Sequence, residues 1–197
     1  MTNIISRLES VLWPLDHPRH EIPVGGLSLS ESGAQPRHKA AVLVPIIARQ
    51  DGPTILFTHR SDALSIHAGQ VSFPGGKIEC SDADATAAAL RETYEEVGIQ
   101  QAAVRPLGLL DFYDTITDFR ILPVVGLVNE PVAIRPDLNE VASVFEVKLS
   151  SLMCVDHYQK HLVSRNGQEH HYYSYQHQEY LIWGATAGML RNLIHRL

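Results

Sequence analysis

The stretch that decides the fold runs from Phe73-Pro74-Gly75-Gly76-Lys77 to residues 91–98, Arg-Glu-Thr-Tyr-Glu-Glu-Val-Gly. At about 100° per residue, Glu92, Glu95 and Glu96 fall within one arc of about 100° on a helix. Four residues lie on the opposite side, which we expect to pack on a core: Thr86, Leu90, Tyr94 and Val97. Three carboxylates this close repel one another unless a cation lies between them, and hard oxygen ligands suit Mg²⁺ or Mn²⁺. For the motif E-x-x-E-E taken alone, a solvated acidic helix face is the alternative interpretation.

This predicted helix, from Ala83 to Gly98, has clear start and stop signals. Gly98 is a typical helix terminator. Three residues before or at its start can cap it or favour its first turn: Ser81, Asp82 and Asp84. Upstream, Gly75-Gly76 follows a predicted strand, Val71–Phe73, and lets the backbone turn sharply and approach a ligand closely. A strand, a glycine turn and an acidic helix in succession indicate a built site.

Residues 73–99 resemble the Nudix box of the Nudix hydrolases, whose pattern is a glycine, an acid and then R-E-hydrophobic-x-E-E-x-G-hydrophobic. Residues 91–99 match the second half of this pattern, with Thr93 at a position that is usually apolar. In the first half, Asp82 stands in place of the early glutamate and the spacing is one residue longer. The resemblance implies an α/β fold, the α/β/α sandwich with a mixed sheet that Nudix proteins share.

The longer spacing is similar to that of the coenzyme A pyrophosphatase branch of the family. Residues 56–61 and 67–76 resemble that branch's L-L-T-x-R-S…G-x-x-x-F-P-G-G signature, and residues 179–187 match again, although Ser65 stands where an arginine is usual. This resemblance implies cleavage of coenzyme A or acyl-CoA at its pyrophosphate, giving 3′,5′-ADP and 4′-phosphopantetheine. An ADP-sugar or dinucleotide pyrophosphatase is one alternative. A catalytically silent nucleotide-binding sensor is the other, and the intact R-E-x-x-E-E argues against it.

Pyrophosphate hydrolysis requires neutralised phosphate charge and a hydroxide near neutral pH, and divalent metal ions supply both. We predict Glu92 and Glu96 as the main metal ligands, with Glu95 either a third ligand or acting through a neighbouring one. Arg91 would orient a glutamate through charge-assisted hydrogen bonds, unless it only forms a surface pair with Glu95. The backbone of Gly75 and Gly76 would lie close to the metal or a phosphate.

Three residues outside the helix are further candidates. The planar guanidinium of Arg60 suits phosphate binding, with a surface ion pair as the alternative. His67 would contact substrate or only bond a loop carbonyl. Glu140 stands where the coenzyme A branch often carries an acid and would be a general base or extra ligand, unless it is a solvated turn residue. The His- and Tyr-rich segment 170–177 is better explained by alternation in a strand than by metal binding or base stacking.

Composition limits the remaining possibilities. The chain has 197 residues, 45% of them hydrophobic, which predicts one domain over 1–197 with a substantial core. Its net charge of −6 gives no reason to expect nucleic-acid binding. No run of 18 apolar residues occurs, so we expect no membrane partner. The two cysteines have neither disulfide-framework nor zinc spacing, consistent with the cytoplasm.

The chain order predicts a mixed arrangement of strands and helices. We expect an amphipathic helix over 1–12 and an irregular extension to residue 37 that either wraps the domain or forms a homodimer contact. Predicted strands are Lys39–Ile47, Pro53–His59 across an Asp51-Gly52 turn, Val104–Tyr113, Phe119–Val128, Val141–Val147 and Tyr172–Trp183. Predicted later helices are Ser150–Gln159 and Gly184–Ile194, with a loop over 60–70.

Overall fold

The computed structural model describes residues 2–26, 38–62, 68–165 and 168–197. Its helices are α1 (Thr2–Val11), α2 (Ala85–Val97), α3 (Leu149–Leu152) and α4 (Gly184–Arg196). Its first six strands are β1 (Val24–Gly26), β2 (His38–Ile47), β3 (Thr54–Arg60), β4 (Val71–Ser72), β5 (Gly75–Lys77) and β6 (Val104–Leu109). The others are β7 (Phe112–Asp114), β8 (Phe119–Val128), β9 (Val141–Lys148), β10 (Tyr158–Arg165), β11 (Gln168–His177) and β12 (Tyr180–Trp183). None of the described helices is long and apolar enough to cross a membrane.

Within these ranges, nine strands form a mixed sheet in which β1, β7, β8, β2, β3 and β4 follow one another. The central β2–β8 pair is parallel along its whole length, from His38 opposite Phe119 to Ile47 opposite Val128. Three further strands extend the sheet, since β5 pairs with β2, β6 with β8 and β9 with β3. Gly75 and Gly76, predicted as a turn, are instead the first residues of strand β5: they follow a bend at Pro74 and pair with Val42 and Ala41 of β2. This pairing brings the two glycines to the centre of the sheet, and the segment 74–76 is called the glycine turn below.

Side chains of the central strands alternate between two buried clusters. One cluster contains Val42, Val44 and Ile46 of β2 together with Leu8 of α1 and Leu190 of α4. The other contains Ala41, Leu43 and Ile47 of β2 together with Ala88, Ala89 and Val97 of α2. Because successive strand residues point to opposite faces, the unbroken run of buried apolar residues over 40–47 of β2 means that both faces are covered. This confirms the α/β fold as a Nudix-type α/β/α sandwich with a mixed sheet.

Several predicted elements have nearly the predicted bounds: α1, β2, β3, β8, β9, α2 and α4. The predicted strand Val104–Tyr113 is instead two strands, β6 and β7, because strand pairing is interrupted at Leu110 and Asp111. There the Asp111 carboxylate accepts hydrogen bonds from Trp13 and Arg196 rather than continuing a ladder. Part of the predicted irregular extension, 27–37, lies outside the described residues, and the single-domain organisation over 1–197 stays a prediction.

The predicted helix Ser150–Gln159 is wrong as one continuous helix: only residues 150–152 are α-helical, and Val155–His157 form a separate 3-10 turn. Helix α3 ends at Leu152, and a strand, β10, begins at Tyr158. The Tyr158 ring lies 5.1 Å from that of Tyr175, and its hydroxyl donates to the Leu152 carbonyl. Long-range packing against β11 therefore overrides the local preference. The predicted single strand Tyr172–Trp183 is a hairpin, β11–β12, that turns near Gln178 at a φ of 51°.

The packing face of α2 also differs from the prediction. The residues buried on this helix are Ala88, Ala89, Thr93, Glu96 and Val97, whereas Tyr94 is 47% exposed. Only Val97 of the four predicted core residues is fully buried. The helix is therefore rotated so that Glu96 lies at the edge of the core and the acidic arc meets the sheet from one side.

Candidate active site

The site is built on the glycine turn of β5. The N–H of Gly75 donates to Oε2 of Glu96 over 3.2 Å. Gly75 has a φ of +151°, and a Cβ there would collide with the backbone of Ala41 and Val42. A Cβ on Gly76 would lie 2.5 Å from Cδ of Glu92. Both positions therefore need glycine, the first so that β5 can lie against β2 and the second so that a carboxylate can lie against the turn.

Helix α2 aims its carboxylates at this turn and is capped at both ends. Asp84 accepts a hydrogen bond from the Ala87 N–H over 2.8 Å, and Gly98 ends the helix at a φ of 70°. Asp84 is therefore the N-cap among the three residues predicted for that part of the chain. Contacts of Ala88 and Ala89 with the sheet then hold the helix close to β2 and β5, because their side chains are small.

Glu96 is the buried acid of the site, with 3% of its surface exposed. Burial raises its pKa to about 7, and the charges of Glu92 and Glu140 act in the same direction. The Gly75 N–H and the Arg60 charge oppose this rise in the pKa. Burial also raises the pKa of Glu92, with smaller contributions from the charges of Glu95 and Glu140. Carboxyl groups with raised pKa values, whose ionised form is destabilised, are typical of sites that bind a cation or exchange a proton.

Arg91 organises the acidic side of the helix. Its Nε and Nη2 contact the two carboxylate oxygens of Asp82 at 3.0 and 3.1 Å. Its Nη1 donates to Glu92 Oε1 over 2.9 Å and to Glu95 Oε2 over 3.1 Å. Both interpretations of Arg91 therefore hold, since it orients Glu92 and also forms the i,i+4 pair with Glu95. This network leaves Glu92 Oε2, next to Gly76, without a hydrogen bond from any described residue.

Arg60 and Glu140 approach the helix from the other side. Arg60 Nη1 lies 3.4 Å from Glu96 Oε1, and its buried Nε has no hydrogen-bond partner among the described residues. The ion pair that Arg60 forms is thus inside the site rather than on the surface. Glu140 is exposed, and its carbonyl accepts the Ser61 N–H over 2.8 Å, which ties its loop to the end of β3.

The structure thus brings six of the predicted residues together: Arg60, Gly75, Gly76, Arg91, Glu92 and Glu96. Glu140 is near enough for its charge to act on both Glu92 and Glu96. Glu95 lies at the rim, with 55% of its side chain exposed. His67 and Ser65 lie outside the described residues. The sequence predicts Asp82 only as a residue of the helix start, whereas its carboxylate accepts two hydrogen bonds from Arg91. The two residues are nine positions apart with a turn between them, so no helical spacing predicts this contact.

The carboxylates beside the glycine turn can hold a metal ion together with substrate. Across the described ranges, no three His, Cys, Asp or Glu side chains converge closely enough to hold an ion by themselves. Mg²⁺, however, is commonly bound through one or two carboxylates with substrate phosphates completing its shell. Glu92 and Glu96 beside the glycine turn fit that donor set, and the free Oε2 of Glu92 is an acceptor of the right chemistry.

Comparison with known proteins identifies the family of this chain. The NUDIX domain model matches residues 37–174. The chain is 42% identical over 157 residues to a protein called uncharacterized Nudix hydrolase NudL from Citrobacter koseri, covering 80% of this chain and 81% of that protein. Its namesake from Escherichia coli (strain K12) is 41% identical over 155 residues, covering 79% of this chain and 80% of the relative.

Among solved structures, one that resembles part of this chain is an Ap4A hydrolase from C. elegans, in a binary complex. It is 20% identical with a TM-score of 0.49, and the match covers 59% of this chain and 83% of that one. The NUDIX domain of Shewanella oneidensis NrtR, complexed with ADP ribose, is 16% identical with a TM-score of 0.45, covering 64% of this chain and 77% of that one. With the domain match spanning most of the chain, this protein belongs to the Nudix family and is a hydrolase of the class that acts on nucleoside diphosphate derivatives.

Proposed function

We propose that this hydrolase cleaves the pyrophosphate bond of coenzyme A or acyl-CoA with the help of Mg²⁺ or Mn²⁺, giving 3′,5′-ADP and 4′-phosphopantetheine. The observation that carries the proposal is the meeting of Glu92, Glu96 and Arg60 at the Gly75-Gly76 turn. The coenzyme A part rests on the signature residues at 56–61 and 67–76, which lead into this same turn.

In this proposal Glu92 and Glu96 hold the divalent ion, with phosphate oxygens completing its shell. When bound, the ion neutralises phosphate charge and lowers the pKa of a bound water. Arg91 keeps Glu92 in place through its fork of hydrogen bonds. Glu95, which shares Nη1 of Arg91 with Glu92, acts through that contact or reaches the ion from the rim.

The remaining residues act on substrate and water. Arg60 has an unpaired buried Nε and places a positive charge where a phosphate would meet the turn, so it is the phosphate-binding residue. Glu140 is exposed on a loop beside the two glutamates and is the proposed general base that takes a proton from the attacking water. Water adds to one phosphorus, the bridging P–O bond breaks, and the other phosphate leaves. His67 stays a proposed substrate contact.

The test is incubation of the purified chain and Mg²⁺ with coenzyme A, acetyl-CoA, ADP-ribose, NADH and a diadenosine polyphosphate, followed by product identification. We expect 3′,5′-ADP from the coenzyme A substrates. Turnover of ADP-ribose or a dinucleotide with coenzyme A left intact would refute the substrate, and saturable binding without any turnover would favour a sensor.

A matched pair of variants separates site chemistry from general charge effects. Glu96→Gln should lower the rate by about 100-fold or more, since it removes a ligand to the ion. Glu9→Gln removes an exposed glutamate on α1 that pairs with Arg105, and should retain the parental rate. Equal rates in the two variants would overturn the assignment of Glu96.

We further propose that the enzyme works in the cytoplasm as a homodimer. The two cysteines, Cys80 and Cys154, are free and exposed, which suits a reducing compartment. Leu15 and Val24, in the described part of the N-terminal segment, are exposed apolar residues that a second copy would cover. Light scattering coupled to size-exclusion chromatography tests the dimer, and a monomer at micromolar concentration would contradict it.

A further inference from the structure

A cavity lies on the opposite side of the sheet from the glutamates. It has a volume of about 400 Å³ and lies between α4, β7 and β11. Its walls include Phe112, Tyr113, His171, Tyr173, Arg191 and His195. Helix α4 packs on one face of the sheet and α2 on the other, so this cavity is separate from the candidate active site. A volume of this size is sufficient for a small organic ligand.

Asp111, the only carboxylate among the described residues that line this cavity, already has its charge balanced. Asp111 accepts hydrogen bonds from Trp13 Nε1 at 2.9 Å, Asn192 Nδ2 at 2.8 Å and Arg196 Nη2 at 2.6 Å. Those three donors occupy both of its oxygens and include a full positive charge. Asp111 is therefore unavailable to balance any other cation in the wall.

Arg191 has no counter-charge within the part of the chain that the structure describes. Its guanidinium carbon lies 4.1 Å from the centroid of the Tyr173 ring, which supports it from one side. Among the described residues it forms no ion pair and no side-chain hydrogen bond. Its donors are thus available in a partly enclosed space, and a planar guanidinium matches a phosphate or carboxylate with two hydrogen bonds.

Tyr113 adds a neutral donor to the same wall. Burial raises its pKa to about 12, so its hydroxyl keeps its proton at neutral pH. Within the described residues this hydroxyl has no hydrogen-bond partner. Gly188 lies inside α4, where glycine weakens a helix, but a Cβ there would come 2.7 Å from the hydroxyl oxygen. The glycine makes room for the Tyr113 ring against the helix.

We propose that this cavity is a second binding site, for a small molecule bearing a phosphate or carboxylate group held by the guanidinium of Arg191 and the hydroxyl of Tyr113. His171 and His195 add further donors at its rim. The aromatic walls accept the apolar part of the ligand. This site does not depend on the proposed hydrolysis, because it shares no residue with the glutamate site.

The test is an NMR titration of the metal-free full chain with phenyl phosphate, benzoate and inorganic phosphate. We expect saturable chemical-shift changes of the backbone amides over residues 188–195. Whichever of phenyl phosphate and benzoate binds with the higher affinity identifies the preferred anionic group. Arg191→Gln should weaken this binding about 10-fold or more, as expected for loss of a charged hydrogen-bond partner. Tyr113→Phe, which keeps the ring in place, should weaken it about 5-fold.

Arg7→Gln is the matched control, since Arg7 is an exposed arginine on α1 and its loss changes the net charge by the same amount. Equal affinity of the Arg191→Gln and Arg7→Gln variants would overturn the proposal. So would the absence of saturable shifts, or shifts confined to residues 91–96. Arg60→Gln should leave the 188–195 shifts intact, which separates this site from phosphate binding at the glutamates.

Discussion

Glu96→Gln should change how the stability of the metal-free protein depends on pH. Glu96 is 3% exposed, and its pKa is raised from 4.5 to about 7, first of all by burial. The folded protein therefore keeps a proton on this carboxyl at pH values where the unfolded chain has lost it. Because the folded state binds more protons, the free energy of unfolding of the parent falls as pH rises from about 4.5 to about 7.

The size of this effect follows from the pKa. A pKa difference between 4.5 and about 7 corresponds to about 3 kcal/mol of stability, present below pH 4.5 and lost above pH 7. Glutamine is a neutral group of the same shape, and its carbonyl oxygen can still accept the Gly75 N–H. Glu96→Gln should therefore match the parent near pH 4.5 and exceed its stability by about 2–3 kcal/mol at pH 8.

Urea unfolding in EDTA, followed by circular dichroism between pH 4.5 and 8.5, measures this difference. Glu95→Gln is the control on the same helix, because its side chain is 55% exposed and its surface pair with Arg91 contributes less than about 1 kcal/mol. A stability difference between Glu96→Gln and the parent that is constant across this pH range would refute the reasoning. Saturating Mg²⁺ should then stabilise the parent at pH 8 far more than Glu96→Gln, since only the parent retains both proposed ligands.

The remaining predictions concern the turn, the helix cap and the ion. Gly76→Ala should lower activity about 100-fold, because the new Cβ displaces the Glu92 carboxylate. Gly75→Ala should lower the melting temperature more than Gly76→Ala does, because the Cβ at position 75 meets backbone atoms and not a flexible side chain. Equal melting temperatures of the two variants would contradict this contrast. Asp84→Ala should cost about 1 kcal/mol in urea unfolding through loss of the N-cap, and an unchanged midpoint would show that the Ala87 N–H finds another acceptor. Removal of divalent ions with EDTA should abolish turnover, with recovery on adding Mg²⁺ or Mn²⁺; full activity in EDTA would exclude the proposed ion.

Helix α2 contains features that local sequence predicts and others that it does not. The order of its residues establishes that Glu92, Glu95 and Glu96 share one arc, since that depends only on the 3.6-residue period. The caps at Asp84 and Gly98 are also local, because they involve residues within one turn of the helix ends. These features required no knowledge of the rest of the chain.

The direction in which the helix faces its neighbours was not predictable in this way. Helical periodicity predicts Tyr94 on the face that packs on the core, but in the structure Tyr94 is exposed and Glu96 is buried. Periodicity describes one helix in isolation, and the preference for burying tyrosine rather than glutamate favoured the wrong rotation. The Gly75 N–H, 21 residues away in sequence, donates a hydrogen bond to the Glu96 carboxylate and so offsets part of the cost of burying it in the observed rotation of the helix.

By itself the sequence determined the central strands and the capped acidic helix, because each depends on residues adjacent in the chain. Gly75 and Gly76, predicted as a turn, form a strand through their pairing with β2. Only the tertiary structure decided which residues meet there, since Arg60 lies 36 residues from Glu96 in sequence. It also decided that residues 158–165 form a strand, in which Tyr158 packs against the Tyr175 ring and donates a hydrogen bond to the Leu152 carbonyl. Contacts between residues far apart in the chain depend on the whole fold, and no local pattern encodes them.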